Sequence, residues 1–336
     1  MENLPVSVLM SVFNAEKYIR EAIDSILNQS FTDFEFIIIN DGSTDSSRDI
    51  VKSYTDSRIK LFDNEKNLKV AHTCNRSLSL AKGKYLVRMD ADDIAMPERI
   101  AIQFDFMEKH PDIGLCGSWY ENFGEIEGIS KYETDHDKIR FLMLFRNPVL
   151  HPSSIIRKEI VDQNHLLYDP EFIAGEDHDF LVRLAEVTKV ANIPQVLMKY
   201  RQHSVSTKGR LDNIMNNFLY KASYNQFRKM GVEITRQDFE LFTRFCYSEF
   251  QFTFEEFDYL ENFLCKIITA NSHSNYLKQE SLSGIIGEKW FHLCYNISGA
   301  IGKKAYKKYK DSSIRPYYNP GKLINAKFFL KNTLKN

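Results

Sequence analysis

The chain has 336 residues, of which 43% are hydrophobic and 26% charged, and this composition predicts one large or two modest packed domains. The net charge of -1 hides an asymmetry, because residues 287–336 contain eleven Lys and Arg against two Asp and Glu. A tail of +9 therefore follows a body of -10, which predicts that the tail meets an anionic surface.

The cysteines and the apolar runs exclude two classes of protein. The five cysteines are odd in number and form no CxxC pair, which predicts free, mostly buried thiols in a reducing cytosol and no disulfide framework. No stretch of about 18 apolar residues occurs in the sequence, so no membrane-spanning helix is expected. The apolar run at residues 6–13 is too short for a signal-peptide core followed by a cleavage site, so we interpret it as a strand.

Apolar runs alternate with helical patterns through the first third of the chain. Buried strands are predicted at residues 5–13, 34–39, 58–62 and 85–90. Helices are predicted after Asn14, which would cap the first of them, after residues 40–45, and at residues 70–81 and 97–109. This alternation predicts a doubly wound α/β domain with a mostly parallel, mixed sheet.

The rest of the chain predicts a change of architecture near residue 208. Strands are expected at residues 114–123, 151–157 and 190–200, a loop or hairpin at 124–136, and helices at 137–145 and after 175–177. The polar stretch 202–209 predicts a boundary between an α/β domain at residues 1–208 and a helical, aromatic C-terminal region at residues 209–336.

The fourth predicted strand ends abruptly in acidic residues. Asp90, Asp92 and Asp93 fall within four positions, at the carboxyl edge of a parallel sheet, where ligands bind in open α/β folds. Clustered carboxylates repel one another, and a hard cation such as Mg²⁺ or Mn²⁺ relieves that repulsion while sharing a substrate's phosphates. The alternative is an Asp-rich turn that caps the next helix.

Other polar residues lie at predicted strand and helix ends. Asp41 follows the second strand and either binds a base or ribose or caps a helix. Glu176 and Asp177 open a helix and supply either a general base or ordinary first-turn acidic residues. His203, in a polar loop, is either a metal ligand or a solvated side chain. His151 by itself is interpreted as structural.

The ordered set of these motifs is more specific than any one of them. It comprises VLMSVFN at residues 8–14, QSFTDFE at 29–35, NDGSTD at 40–45, AKGKY at 81–85, DADD at 90–93 with PER at 97–99, NP at 147–148 with HPS at 151–153, EDHDFLVRL at 176–184 and YRQH at 200–203. Over residues 4–208 the chain resembles glycosyltransferase family 2 of the bacterial cell-surface polysaccharide type. These are inverting enzymes with the GT-A fold, which is Rossmann-like, and they use nucleotide-sugar donors.

The resemblance implies roles for individual residues. Asp177 would be the general base and Glu176 would orient a sugar. Asp92 would be the direct ligand of Mn²⁺ or Mg²⁺, assisted by Asp90 and His203. The nucleotide of the donor, expected to be a UDP-sugar, would contact a larger set: Ser11, Val12, Phe13 beside the base, Asn14, Glu16, Asp41 on the uracil edge, Asn75, Asp90, Ala91 and Asp92.

One segment departs from the family pattern. Relatives often have Asn-x-Gly where this chain has Asn67, Leu68 and Lys69. The departure leaves the donor-side details of this loop open, and we expect Lys69 to meet a phosphate or a sugar there.

The resulting prediction is an enzyme that moves a sugar to a hydroxyl of a glycan or lipid-linked acceptor by one metal-assisted displacement, with inversion. One alternative is a non-catalytic scaffold or carbohydrate-binding protein of the same fold. Another is a sugar nucleotidyltransferase, which would normally have a glycine-rich phosphate loop, whereas residues 11–17 contain no glycine.

The basic tail adds an expectation about the location of the enzyme. Lysines 303, 304, 307, 308 and 310 are interleaved with Tyr306 and Tyr309, a pattern that favours an anionic membrane surface. Nucleic acid could use the same features but is not the expected partner, and the alternative is a solvated helix face. The chain is therefore predicted to be cytoplasmic, in peripheral contact with the inner face of the membrane.

Overall fold

The computed structural model describes residues 4–202, 210–249, 251–301 and 303–333; for residues 210–215, 298–301, 303–304 and 331–333 it describes the backbone only. The chain divides into two compact units. The first comprises Met1–Ile139 with Arg146–Leu219, and the second comprises Arg140–Phe145 with Tyr220–Asn336.

The first unit is built on one mixed sheet. Its nine strands within the described residues are β1 (Val6–Val12), β2 (Phe34–Asn40), β3 (Ile59–Asp63), β4 (Tyr85–Asp90), β5 (Ile94–Ala95), β6 (Ile113–Gly124), β7 (Gly128–Ser130), β8 (Ile155–Arg157) and β9 (Lys189–Gln202). The order is β3-β2-β1-β4-β8-β6-β9-β5, with β7 paired to β6. Strands β3, β2, β1 and β4 are parallel, as are β6 and β9, and the remaining pairs are antiparallel.

The register of the parallel strands determines which polar residues meet. Ser11 of β1 lies opposite Asp90 of β4, and Val12 lies opposite Asn40 of β2. The carboxyl ends of three neighbouring strands therefore share one edge of the sheet, as the alternation of strands and helices predicts. Their apolar middles form the core, since all of β2 except Glu35 is buried.

Helices cover this sheet. They are α1 (Ile19–Leu27), α2 (Ser47–Lys52), α3 (Val70–Leu80), α4 (Arg99–Lys109), α6 (Lys158–Gln163) and α7 (Glu176–Ala185). Two more helices, α5 (His136–Leu142) and α8 (Arg210–Met230), contain residues at which the two units divide. In α1 the residues Ile19, Ala22, Ile23 and Ile26 are buried, as their helical spacing predicts.

The second unit is helical. It contains α9 (Arg236–Cys246), α10 (Phe254–Ser274), α11 (Gln279–Ile301), α12 (Lys303–Asp311) and α13 (Lys322–Thr333). Thr235 and Thr253 begin α9 and α10 with capping boxes. The core of this unit is aromatic, with Trp290 stacked on Phe257 at 4.8 Å. Over the described residues, no helix has the length and apolar content needed to cross a membrane.

Three local predictions require comment. Asn14 does not cap α1, because the helix begins five residues later at Ile19, and Asn14 instead adopts a left-handed conformation with φ of 51°. The predicted strand 151–157 is shorter, since His151–Ser153 form a 3₁₀ turn before β8. The five cysteines are free and four of them are buried, as predicted.

Candidate active site

A cleft of about 970 Å³ opens at the carboxyl edge of the sheet, within the first unit. Nine of the predicted site residues line it: Ser11, Phe13, Asn14, Glu16, Asp90, Ala91, Asp92, Glu176 and Asp177. Residues that the sequence did not single out for the site also line it, among them Lys17, Arg88, Asn147 and His151. Val12, Asp41, Lys69 and Asn75 lie outside the lining, and His203 lies outside the described residues.

The loop after β1 forms one wall of the cleft and is tied to the loop after β2. Thr44 N–H donates to Asn14 Oδ1 at 2.8 Å, and Ser46 N–H donates to Glu16 Oε2 at 3.0 Å. In return, Glu16 N–H donates to Asp45 Oδ2 at 3.0 Å. Asn14 and Glu16 therefore brace this wall, while the Phe13 side chain is 48% exposed on it.

Asp41, expected on the uracil edge of the donor, is buried directly after β2. Its carboxylate is 4% exposed and accepts hydrogen bonds from Asn64 Nδ2 at 2.7 Å, Leu68 N–H at 2.8 Å and Lys69 N–H at 3.1 Å. Asp41 thus holds the segment that leads into α3. Three donors thus fix its carboxylate in place.

Lys69 occupies a backbone conformation that glycine favours. Its φ is 74° and its ψ is 163°, a region that is essentially restricted to glycine and costs other residues about 1–3 kcal/mol. The position is the one at which the family pattern has glycine. The chain therefore keeps the glycine-type turn here and carries an exposed lysine side chain on it.

Asn75 and Val12, both expected at the donor site, lie outside the lining of the cleft. Asn75 Nδ2 donates to Tyr168 O at 2.8 Å, and Tyr168 N–H donates to Asn75 Oδ1 at 2.7 Å. The amide thus clamps a backbone segment 93 residues away. Val12 is 1% exposed in the core of the sheet. Neither side chain lines the cleft.

The acidic end of β4 is held by two arginines. Arg88 Nη2 donates to Asp90 Oδ1 at 3.0 Å, and the Arg88 side chain is 4% exposed against 38% for that of Asp90. Arg201 of β9 donates through N–H to Asp93 Oδ1 at 2.9 Å and through Nε to Asp92 O at 2.7 Å. Burial and the neighbouring Asp90 and Asp92 raise the pKa of Asp93 to about 9. Asp93 is thus a buried brace, and Asp90 and Asp92 are left facing the cleft.

The charges of the cleft suit a divalent cation. Six carboxylates line it, against the two cations Lys17 and Arg88, and crowded carboxylates are the oxygen ligands that hard cations prefer. Asp92 and Asp90 are the residues that would hold such an ion. Within the described residues, no three His, Cys, Asp or Glu side chains group closely enough to form a complete site from protein alone.

Glu176 and Asp177 begin α7 directly after Gly175, whose φ is 71°. Burial and the Asp177 charge raise the pKa of Glu176 to about 7. Burial also raises the pKa of Asp177, although His178 N–H, at 2.8 Å, and Asn147 Nδ2, at 3.2 Å, donate to its carboxylate and oppose that rise. Burial therefore raises the pKa of both carboxyl groups, the direction that makes a carboxylate a better proton acceptor.

The residues that sequence reasoning missed are those whose role depends on a partner far away in the chain. In the sequence, Arg88 is one residue of a predicted buried strand. Its role at the site follows only from its ion pair with Asp90. Asn147 belongs to a quoted motif, but its bond to Asp177 spans 30 residues. A charged residue inside an apolar strand, two positions before the aspartates, was the available signal for Arg88.

Comparison with known proteins agrees with this geometry. Residues 7–163 match the model of the family described as glycosyl transferase family 2. A Haemophilus influenzae protein named an uncharacterized glycosyltransferase is 36% identical over 252 residues, covering 70% of this chain and 78% of the relative. The Escherichia coli O-antigen biosynthesis glycosyltransferase WbnJ is 32% identical over 216 residues, covering 60% of this chain and 82% of the relative.

A solved structure shares the fold. The crystal structure of Staphylococcus aureus TarS in complex with UDP-GlcNAc superposes with a TM-score of 0.59 at 18% identity, covering 91% of each chain. At that identity the likeness concerns the GT-A-type fold. With the curated relatives and the family model, it leads to one conclusion: the chain belongs to glycosyltransferase family 2 and is a glycosyltransferase.

Proposed function

We propose that the protein is an inverting glycosyltransferase that moves a sugar from a UDP-sugar to a hydroxyl of a glycan or lipid-linked acceptor. The observation that carries the proposal is that one cleft joins the acidic end of β4 to the half-buried carboxyl pair at the start of α7. The first group suits a nucleotide diphosphate with its cation, and the second suits removal of a proton from a hydroxyl.

In the proposed mechanism, Asp177 takes the proton of the acceptor hydroxyl as that oxygen attacks the anomeric carbon. Asn147 and His178 N–H hold the carboxylate in position through the bonds described above. Glu176, beside it, orients a sugar. A bound Mn²⁺ or Mg²⁺ would neutralise charge on the leaving diphosphate. Because the acceptor attacks opposite the leaving group in a single displacement, the anomeric configuration inverts.

The donor side of the cleft is assigned to the loop after β1 and to Asp90, Ala91 and Asp92. Phe13, half exposed on the wall, offers its ring to the base. Asp41 and Lys69 act from the adjoining segment, Asp41 by holding its backbone and Lys69 by offering an ammonium to a phosphate or sugar. The UDP assignment is supported by TarS, which was crystallised with UDP and with UDP-GlcNAc.

The acceptor is assigned from the relatives and from the basic tail. WbnJ is named for O-antigen biosynthesis, and a 30% identical Erwinia amylovora relative, AmsE, is named for amylovoran biosynthesis. A peripheral contact with an anionic bilayer at the inner face of the membrane would bring the enzyme to a lipid-linked acceptor. Lys307 and Lys310 are exposed for such a contact, but Lys308 is not, because it pairs with Asp258 and Glu261.

The first test is ligand-dependent thermal stability in the presence of Mn²⁺. Bound ligand raises the melting temperature by mass action, so UDP should raise it in the parent and not in Asp92→Ala. Asp105→Ala, at an exposed position of α4, is the matched control. A panel of UDP-sugars then nominates the donor, and NMR of the product reports the anomeric configuration. No shift with any nucleotide would overturn the proposal in favour of a non-catalytic scaffold, and retention of configuration would overturn the single displacement.

The membrane contact is tested separately by co-sedimentation with vesicles that contain phosphatidylglycerol. Replacing Lys307 and Lys310 by Gln should reduce the bound fraction, because each basic residue near such a surface contributes about 1 kcal/mol. Lys82→Gln, in the first unit, serves as the control. Equal binding of all variants would contradict the proposed role of the tail.

A further inference from the structure

His151 lines the cleft on a 3₁₀ turn, and the mechanism above does not use it. Its side chain is held by one specific contact, since Nε2 lies 2.7 Å from the Tyr168 hydroxyl. Tyr168 is only 1% exposed, so its hydroxyl serves the histidine and not a ligand. Within the described residues Nδ1 has no hydrogen-bond partner, and His151 lines the cleft, so Nδ1 is the ring nitrogen that remains for a molecule there.

The residue that holds His151 is itself fixed from two sides. The Asn75 amide clamps both backbone groups of Tyr168, as described above. The Tyr168 ring stacks on Phe180 with centroids 4.0 Å apart and planes 11° apart. Phe180 belongs to α7, the helix that begins with the catalytic carboxyl pair. The His151 ring is therefore oriented through Tyr168 by contacts from α3 and from α7. Helix α7 also carries Asp177.

The electrostatic surroundings of His151 decide which ligand chemistry it suits. Burial and the nearby Arg88 guanidinium keep the pKa of His151 well below its ordinary value, so the imidazole is neutral. A neutral ring is no counter-charge for a diphosphate. It can, however, exchange a hydrogen bond with a sugar hydroxyl, because each nitrogen of neutral imidazole is a donor or an acceptor.

We propose that His151 binds a hydroxyl of one of the two reacting sugars through Nδ1, and that Tyr168 is the positioning residue that aims the ring. This inference rests on the proposed function and assigns part of its sugar subsite. The hydroxyl belongs either to the donor sugar or to the acceptor. Both sources present the same group, so the experiment must distinguish them.

Two substitutions separate a binding role from a packing role. The amide atoms of Asn are bonded to Cγ, as Nδ1 of His is, so His151→Asn keeps a polar group at the position of Nδ1 and loses the partner of Tyr168. His151→Gln does the reverse, because its amide reaches the position of Nε2. A binding role therefore predicts that the Asn variant works better than the Gln variant, and a packing role predicts the opposite order. Tyr168→Phe is a third, milder change that removes only the hydroxyl.

The first measurement is the Kd of UDP and of a UDP-sugar, either UDP-N-acetylglucosamine or the best donor of the panel. The second is the acceptor KM and turnover at saturating donor, with a panel of simple glycosides as acceptors. We expect every variant to bind UDP as the parent does. His151→Gln should weaken either the UDP-sugar affinity or the acceptor KM by about 3- to 10-fold, which corresponds to one hydrogen bond. His151→Asn should be less affected, and Tyr168→Phe should change the same parameter by a smaller factor. A loss in UDP-sugar affinity assigns the hydroxyl to the donor, and a higher acceptor KM at unchanged donor affinity assigns it to the acceptor.

Three results would overturn the inference. The first is parental behaviour of His151→Gln with loss in His151→Asn, and the second is parental affinity and turnover in both variants. Should both variants fail to fold, Tyr168→Phe decides, and unchanged affinity and KM in that variant are the third. Failure of the parent to bind any nucleotide would instead overturn the proposed function. Parental UDP binding with unaffected variants overturns this inference alone.

Discussion

The carboxyl pair at the start of α7 should lower the free energy of unfolding when Glu176 is ionised. The substitution Glu176→Gln tests this prediction. Burial and Asp177 raise the pKa of Glu176 to about 7, from an ordinary value of 4.5. A carboxyl group whose pKa is higher in the folded state than in the unfolded state costs no stability below the unfolded value. Its cost grows as pH rises from 4.5 to 7 and is constant above that.

The magnitude follows from the size of the shift. One pKa unit corresponds to 1.36 kcal/mol, so ionising Glu176 in the folded protein costs at most about 3 kcal/mol at pH 8. Glu176→Gln removes the ionisable group and should stabilise the protein at pH 8, with almost no effect at pH 4.5. For a unit of this size, each kcal/mol changes the melting temperature by about 2–4 °C, so the gain at pH 8 is several degrees.

The assay is thermal unfolding of the parent and the variant at both pH values, without nucleotide or metal. Glu65→Gln, at an exposed position, controls for replacing a glutamate by its amide. An equal change in melting temperature at pH 4.5 and pH 8, or destabilisation at pH 8, would refute the reasoning that burial strains this carboxylate. The expected pattern is the stability cost that functional sites often carry.

Three further predictions concern single side chains. Asp177→Asn should lower kcat by about 10²–10⁴-fold, the usual contribution of a general base, while the Kd of UDP is unchanged; full activity would remove Asp177 from the mechanism. Lys69→Gly should raise stability by about 1 kcal/mol by relieving its glycine-type conformation, whereas Lys69→Ala keeps that conformation and should bring no such gain in a denaturant titration. Arg88→Met should cost about 1 kcal/mol, because it removes a hydrogen-bond donor from Asp90, whose carboxylate is 38% exposed and can be solvated instead. In an Asp90→Asn background the cost should fall, and an unchanged cost in that double-mutant cycle would show that the ion pair contributes little.

Local patterns in the sequence were sufficient for the parts of the protein that depend on neighbours in the chain. Apolar runs located β1, β2 and β4, and the helical spacing of Ile19, Ala22, Ile23 and Ile26 located α1. The aspartates after β4 could be assigned to a ligand-binding edge because parallel strands present their carboxyl ends together. The ordered motifs then identified the family, which the comparisons confirm.

Tertiary structure alone decided which of the polar residues face the cleft. Asn75 was expected at the donor site, yet its amide is used by the backbone of Tyr168, 93 residues away. Asp41 closes on the segment before α3, and His151 acquires a partner that no spacing in the sequence reveals. The physical reason is that a carboxylate, an amide or an imidazole has the same hydrogen-bonding capacity wherever it stands. Whether it serves the fold or a ligand depends on which distant groups the packing brings within about 3 Å of it.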